Sequence, residues 1–132
     1  MNNLKFFIVD DDPYYRMLYQ QHLTNLGYKN YYVFENGIDC VNQLAQQPDI
    51  IFLDYDMKPN NGLEILKMIK KENNNIFLLM ISSQSEHTFV SRALAHGADE
   101  YIVKGENDLE LIKKVIADVQ ISIQEKRARA IR

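Results

Sequence analysis

The sequence predicts an α/β fold built on a doubly wound, five-stranded parallel sheet. Short apolar, strand-like runs begin near positions 6, 31, 50, 76 and 101, and each is followed by a stretch with helical periodicity. The middle run, Ile50-Ile51-Phe52-Leu53, is wholly apolar and stops at Asp54, as a strand buried on both faces would. The first run repeats the arrangement: Phe6-Phe7-Ile8-Val9 ends in Asp10-Asp11-Asp12. Open α/β sheets bind their ligands at the carboxyl ends of strands, which is where these acids fall.

The elements follow in order. After Asp12, Pro13 suits the first turn of a helix, where its missing N–H costs nothing. Tyr15, Leu18, His22 and Leu26 share one stripe of that helix, and Gly27 closes it. Tyr31-Tyr32-Val33-Phe34 is a wetter strand, suited to a sheet edge. Asn36 can cap a helix that turns Ile38, Val41, Leu44 and Ala45 inward and stops before Pro48. Past Asp54, a loop from Met57 to Asn61 leads to Gly62 and a helix with Leu63, Leu66 and Ile69 inward. Ile76 to Ile81 is the most apolar strand and finishes at Ser82-Ser83. Ser83 or Ser85 is expected to cap the next helix, Ser83 and Glu86 having capping-box spacing. Phe89, Ala93 and Leu94 are expected on its inner side, with Gly97 at its end. Tyr101-Ile102-Val103 leads to Lys104, and a last helix begins near Asn107-Asp108. Its apolar seam of Leu109, Ile112, Ile116, Val119 and Ile123 outlasts what one docked helix needs.

Bulk properties narrow the class. With 132 residues the chain suits one domain, and 46% apolar with 25% charged residues is ordinary for a soluble globular protein. A net charge of −3 gives no global pull toward nucleic acid or anionic membrane. Cys40 is the sole cysteine, which excludes a disulfide framework and a thiolate metal cage. It is expected to be a buried small apolar residue. The N-terminus carries no apolar signal region and no run is long enough to span a bilayer, so a cytoplasmic location is expected.

The chemistry collects at the strand ends: Asp10, Asp11 and Asp12 from the first, Asp54 from the third, Ser82 from the fourth and Lys104 from the fifth. At ~4 Å and an effective dielectric of about 20, each pair of like charges costs on the order of 4 kcal/mol. A cation or a proton must offset that cost. Hard oxygen ligands with open positions suit Mg²⁺, which binds through one or two carboxylates plus phosphate oxygens. A carboxylate among them can attack phosphorus and become an acyl phosphate, with a lysine and a hydroxyl holding the other oxygens. The set suits in-line phosphoryl transfer onto aspartate. Asp12 alone is read as a helix cap, and His22, His87 and His96 lack metal-ligand spacing.

Positions 4 to 124 resemble the response-regulator receiver domain of two-component signalling. The pieces that carry the resemblance are Ile8-Val9-Asp10-Asp11-Asp12, Leu53-Asp54-Tyr55-Asp56-Met57, Gly62, Met80-Ile81-Ser82-Ser83 and Gly97-Ala98-Asp99-Glu100-Tyr101-Ile102-Val103-Lys104. The resemblance implies a flavodoxin-like receiver fold with five helices and strand order 2-1-3-4-5. It implies that Asp54 is the phospho-acceptor, taking its phosphoryl group from a histidine kinase or phosphotransfer protein. Asp10 and Asp11 would be the acidic pair for Mg²⁺, joined by Asp54 and the main-chain carbonyl of Asp56. Ser82 would move to the phosphoryl group, Lys104 would pair with it, and Tyr101 would turn inward. That turn would change the face made by the fourth helix, fifth strand and fifth helix. Asp56 and Gln84 would tune the loss of phosphate.

The chain departs from the family pattern at Lys58, where a proline is usual, and at Gly105, where the family carries a cis proline. A non-proline cis bond costs about 2.5–4 kcal/mol, so Lys104–Gly105 is expected to be trans, with some adjustment of Lys104. The expected division is a receiver domain over 1–124 and a basic extension of the last helix over 125–132. That extension is read equally as a solvated helix end or as a signalling helix or dimer contact, and a phosphorylation-dependent homodimer is one possibility. Two other functions fit parts of the pattern. Asp54-Tyr55-Asp56 has the nucleophile-x-acid spacing of haloacid-dehalogenase-like phosphatases, and Lys58 with Gly105 suggests a receiver-like binding module that ignores phosphate. The leading expectation is a signalling switch rather than an enzyme, acting on a protein partner, with no nucleic-acid-binding segment evident.

Overall fold

Five runs of β-forming residues make the five strands. In the computed structural model they are β1 (Phe6–Val9), β2 (Tyr31–Phe34), β3 (Ile50–Asp54), β4 (Phe77–Ser82) and β5 (Glu100–Val103). The helices between and after them are α1 (Pro13–Asn25), α2 (Gly37–Val41), α3 (Gly62–Glu72), α4 (His87–Ala95) and α5 (Asp108–Ile131), with a single 3-10 turn at Leu44–Gln46. The structure describes residues 3–105 and 107–131, so Met1, Asn2 and Arg132, at the ends of the expected domain and tail, lie outside the described residues. All strands are parallel, in the order β2-β1-β3-β4-β5.

Alternation along the strands builds two cores. Phe6, Ile8, Ile50, Phe52, Leu79 and Ile81 face the side covered by α1 and α5, where Tyr19, Leu23, Ile112, Ile116 and Val119 meet them. Phe7, Val9, Ile51, Leu53, Leu78 and Met80 face the opposite side, against Cys40, Ile65, Leu66, Ile69 and Ala93. Burying an aliphatic or aromatic side chain of this size stabilises by about 1.5–3 kcal/mol. This is why the three inner strands read as continuous apolar runs while β2, at the edge, is half-exposed.

Local chemistry sets most helix ends as expected. Asp12 Oδ1 accepts a hydrogen bond from the Tyr14 N–H at 2.9 Å, and Asn36 Oδ1 accepts from the Asp39 N–H at 2.9 Å. A capping box opens α3: Asn61 Oδ1 accepts from the Glu64 N–H at 3.0 Å, and Glu64 accepts from the Asn61 N–H at 3.3 Å. Gly62 follows because α3 starts hard against the end of β3. A Cβ there would overlap the Asp54 carbonyl oxygen and sit 2.6 Å from Tyr55 Cα.

Several expectations are corrected. Neither Ser83 nor Ser85 caps α4; Glu86 is its N-cap residue and makes no side-chain capping bond. The chain after Ser82 is instead drawn into the site, where the Gln84 N–H bonds Ser82 Oγ. Leu94 is 46% exposed, since Ala93 is the residue of α4 that meets the sheet. Ile38 is 38% exposed and Ala45 is exposed as well, because α2 is one short turn that buries Cys40 and leaves Leu44 to the 3-10 turn. On α1 the buried centre is Tyr19 and Leu23, and the expected stripe of Tyr15, Leu18, His22 and Leu26 is only half-buried.

Candidate functional site

The register of the central strands brings the acids together. Val9 pairs with Leu53, so Asp10 and Asp54 leave neighbouring strands at the same level. Asp54 pairs with Ile81 one strand further, which sets Ser82 beside it, and Ser82 pairs with Val103 at the start of the Lys104 turn. The Lys104 N–H donates to the Ser82 carbonyl at 2.8 Å and ties the last loop to the fourth strand.

Asp10 is 1% exposed and Asp54 3% exposed, while Asp11 is open to solvent. One oxygen from each of the three carboxylates lies within 4.8 Å of the other two. Asp10 Oδ1 accepts from the Asp12 N–H at 2.9 Å, and the Asp10 carbonyl accepts from Arg16 Nη1 at 2.9 Å. Lys104 Nζ stands 3.0 Å from Asp10 Oδ2 and 3.3 Å from Asp54 Oδ1. The peptide after it is trans: the cis bond among the described residues is Lys58–Pro59. Gly105 therefore does not keep the ammonium out of the site, and the expected adjustment of Lys104 does not prevent both ion pairs.

These neighbours shift the acids. Burial raises the Asp54 pKa to about 7, the Asp10 charge adds to the rise, and Lys104 opposes it. Asp10 is also raised, burial outweighing its hydrogen bond from Asp12 and the Lys104 charge. Burial works against the Lys104 ammonium, but the carboxylates of Asp54 and Asp10 outweigh it and hold its pKa above the usual lysine value. Three acids against one lysine leave the cluster short of positive charge. Asp10 Oδ2 is buried, and the Lys104 ammonium at 3.0 Å is the charge beside it. A donor set of clustered hard oxygens that outnumbers the positive charge beside it fits a divalent cation such as Mg²⁺.

A second chain of contacts leads away from the cluster. Ser82 Oγ donates to Asp56 Oδ2 at 3.4 Å, Gln84 Nε2 donates to Asp56 Oδ1 at 3.3 Å, and the Tyr101 hydroxyl donates to the Gln84 carbonyl at 2.7 Å. Ser82 is buried and Tyr101 half-buried against the core. All the residues named from the sequence thus fall in one region, from Asp11 to Tyr101. A cleft of about 300 Å³ lined by Asp11, Tyr55, Asp56, Met57, Lys58 and Asn61 opens beside them.

Sequence reasoning missed the support beneath the acids. Lys104 Nζ lies over the Tyr15 ring, 3.9 Å from its centroid, and Tyr15 stacks on Tyr19 at 6.0 Å. The four-residue spacing of the two tyrosines was a visible hint of stacking. Nothing local tied either one to a lysine on the last strand's loop.

A parallel sheet in this order, with a buried aspartate ending its third strand between two other acids and a lysine, is an open α/β fold with its polar side chains gathered at the carboxyl ends of the strands. Residues 6–116 match the response regulator receiver domain, and the chain belongs to that family. It is 31% identical over 101 residues to the chemotaxis protein CheY of Thermotoga maritima, an alignment covering 76% of this chain and 84% of that protein. Among solved structures it resembles the response regulator TrrA of Thermotoga maritima in complex with Mg²⁺ and BeF, at 30% identity and TM-score 0.76, covering 86% of this chain and 97% of that one. It also resembles a chain of the CheX–CheY–BeF3–Mg²⁺ complex of Borrelia burgdorferi, at 25% identity and TM-score 0.80, covering 86% and 87%. Membership makes it a response regulator receiver of two-component signalling, a signalling domain in class. Among the described residues, no helix is long and apolar enough to cross a membrane.

Proposed function

We propose that this receiver accepts a phosphoryl group on Asp54 from a phosphohistidine of a histidine kinase or phosphotransfer protein and uses it to switch a protein-binding face. The observation that supports this most is the Asp54 carboxylate itself, buried at a strand end, 3.3 Å from Lys104 and grouped with Asp10 and Asp11. In the transfer an Asp54 oxygen attacks phosphorus, the P–N bond of the donor breaks, and its electron pair returns to the imidazole nitrogen. Lys104 and the Ser82 hydroxyl hold the transferred oxygens. Asp10, Asp11, Asp54 and the Asp56 carbonyl would hold Mg²⁺, which would supply positive charge against the phosphoryl oxygens.

Ser82 then leaves Asp56 for the new group. Gln84 is joined to Ser82 through its N–H and to Tyr101 through its carbonyl, so that movement reaches the α4-β5-α5 face. Asp56 and Gln84 tune the loss of phosphate. The receiver unit is 1–124, with 125–132 a basic extension that serves as a solvated end, as a signalling helix or as a contact in a phosphorylation-dependent homodimer. We place the protein in the cytoplasm.

The test is mass spectrometry after acetyl phosphate and MgCl₂. One phosphoryl adduct per chain is expected on the wild type and none on Asp54→Asn; an adduct that survives the substitution refutes the assignment. Repeated turnover of a phosphate ester would favour phosphatase chemistry over a switch, and partner binding indifferent to Mg²⁺ and phosphoryl donors would favour a phosphate-independent module.

A further inference from the structure

Lys104 follows the last residue of β5, where its own N–H bonds the Ser82 carbonyl at 2.8 Å and the Gly105 N–H bonds Asp108 Oδ1 at 2.9 Å, so the main chain is held while the long side chain is not. Gly105 follows, and a Cβ added there would meet only the Val103 carbonyl oxygen, at 4.0 Å. The side chain has four rotatable carbons and is nevertheless 7% exposed and held in one place. Its ammonium has three partners: Asp10 Oδ2 at 3.0 Å, Asp54 Oδ1 at 3.3 Å, and the face of Tyr15 with the ring centroid at 3.9 Å. An ammonium over an aromatic face is attracted by the ring quadrupole, and the attraction grows when both are shielded from water.

The three partners differ in what happens to them during the reaction. Once Asp54 carries a phosphoryl group, its carboxylate is no longer the same partner, and Asp10 is shared with a cation. The Tyr15 face alone is unchanged by the chemistry. The ring is itself fixed, lying nearly parallel to Tyr19 (26°, 6.0 Å) and edge-on to Tyr14 (79°, 5.1 Å). Tyr19 is buried against Phe52 of β3, so the stack is anchored in the core. Asp12, which caps α1 three residues before Tyr15, also donates its N–H to Asp10. The platform and Asp10 are therefore joined through one loop and helix start, with Asp54 presented from the neighbouring strand.

We propose that Tyr15 is a positioning residue for phosphoryl transfer: its ring face aims the Lys104 ammonium at the Asp10–Asp54 pair, a direction that the main-chain bonds at Lys104 and Gly105 do not by themselves set. The inference rests on Asp54 being the phospho-acceptor and Lys104 acting with it.

The experiment follows the initial rate of adduct formation on the intact chain across a range of acetyl phosphate concentrations with MgCl₂. Tyr15→Phe keeps the ring and should react within about twofold of wild type, whereas Tyr15→Leu should be slower by about threefold to tenfold. In a Lys104→Met background, Tyr15→Leu should cause no further loss; an equal loss there means a merely structural role and overturns the proposal. NMR supplies a second reading, since the Lys104 ε-methylene protons should be shifted upfield by the ring in wild type and Tyr15→Phe and return toward ordinary values in Tyr15→Leu. Tyr15→Met, unbranched and flexible, takes the place of Tyr15→Leu if the latter does not fold. A ring-deleted variant that reacts at the wild-type rate overturns the proposal and leaves the acceptor assignment standing. A wild-type chain that takes no phosphoryl group on Asp54 brings down both.

Discussion

Removing the Asp54 charge should stabilise this protein in the absence of divalent cations, by an amount that grows with pH. The Asp54 carboxyl moves from an ordinary 3.8 to about 7 in the fold, chiefly through burial and then through the Asp10 charge. Between those values the folded chain keeps a proton that the unfolded chain has released. The contribution of the protonated carboxyl is therefore fully present below pH ~4 and lost as pH rises through about 7. A rise of that size corresponds to about 4 kcal/mol. That figure, in which the pull of Lys104 is already included, is an upper bound because Asp54 titrates together with Asp10 and part of the shift belongs to that neighbour. Roughly 2 kcal/mol is the working value, and for a domain of this size it corresponds to about 7 °C in Tm. Calorimetric scans in EDTA should show Asp54→Asn and wild type nearly equal near pH ~4.5 and separated by about that margin at pH ~8. Equal stability at the higher pH, or a less stable variant, would refute the electrostatic argument, for it would mean that the buried acids are not in conflict.

Three further outcomes follow from the geometry. MgCl₂ should raise the Tm of wild type, by about 2.7 kcal/mol of added stability at a hundredfold excess over Kd. EDTA should reverse this and Asp11→Asn should remove most of it; an undiminished shift in that variant would exclude Asp11 from the site. Gly62→Ala should destabilise by at least about 2 kcal/mol in urea unfolding, because its methyl group has only the Asp54–Tyr55 backbone to displace, and a change under about 0.5 kcal/mol would contradict the close approach. Asn61→Ala breaks the capping box of α3 and should cost about 1 kcal/mol by the same measurement, with no loss meaning that the paired bonds to Glu64 are not formed in solution.

The parts legible in the sequence were those where a short local signal carries the answer. Wholly apolar runs ending in acid, serine or lysine marked β1, β3, β4 and the end of β5, because inner strands of a parallel sheet are buried on both sides. Caps at Asp12 and Asn36 could be read from residue type and spacing, and at α3 the capping box of Asn61 with Glu64 emerged only in the fold. At α4 the same reasoning failed: Ser83 and Ser85 have capping chemistry, but the segment is held by Ser82 and Tyr101 through Gln84, and the helix begins later. On α1 the tyrosines at 14, 15 and 19 blurred the stripe, since a tyrosine can lie in the core or half out of it with equal chemical sense. The Tyr15–Lys104 contact joins positions remote in sequence, and no periodicity encodes that. Cys40 behaved as a small apolar residue, its thiol pushed up to about 12 by burial.

The last helix has a mechanical consequence. Its 24 residues rise through about 36 Å, yet among the described side chains the last half-buried apolar one is Ile123, and those from Gln124 to Ala130 are exposed. The end of α5 therefore overhangs the body like the arm of a lever whose pivot is the packing around Val119. A tilt of about 10° there would sweep Ala130 through about 3 Å, enough to break or make a contact. A displacement too slight to repack the sheet would thus be legible to anything gripping the tip.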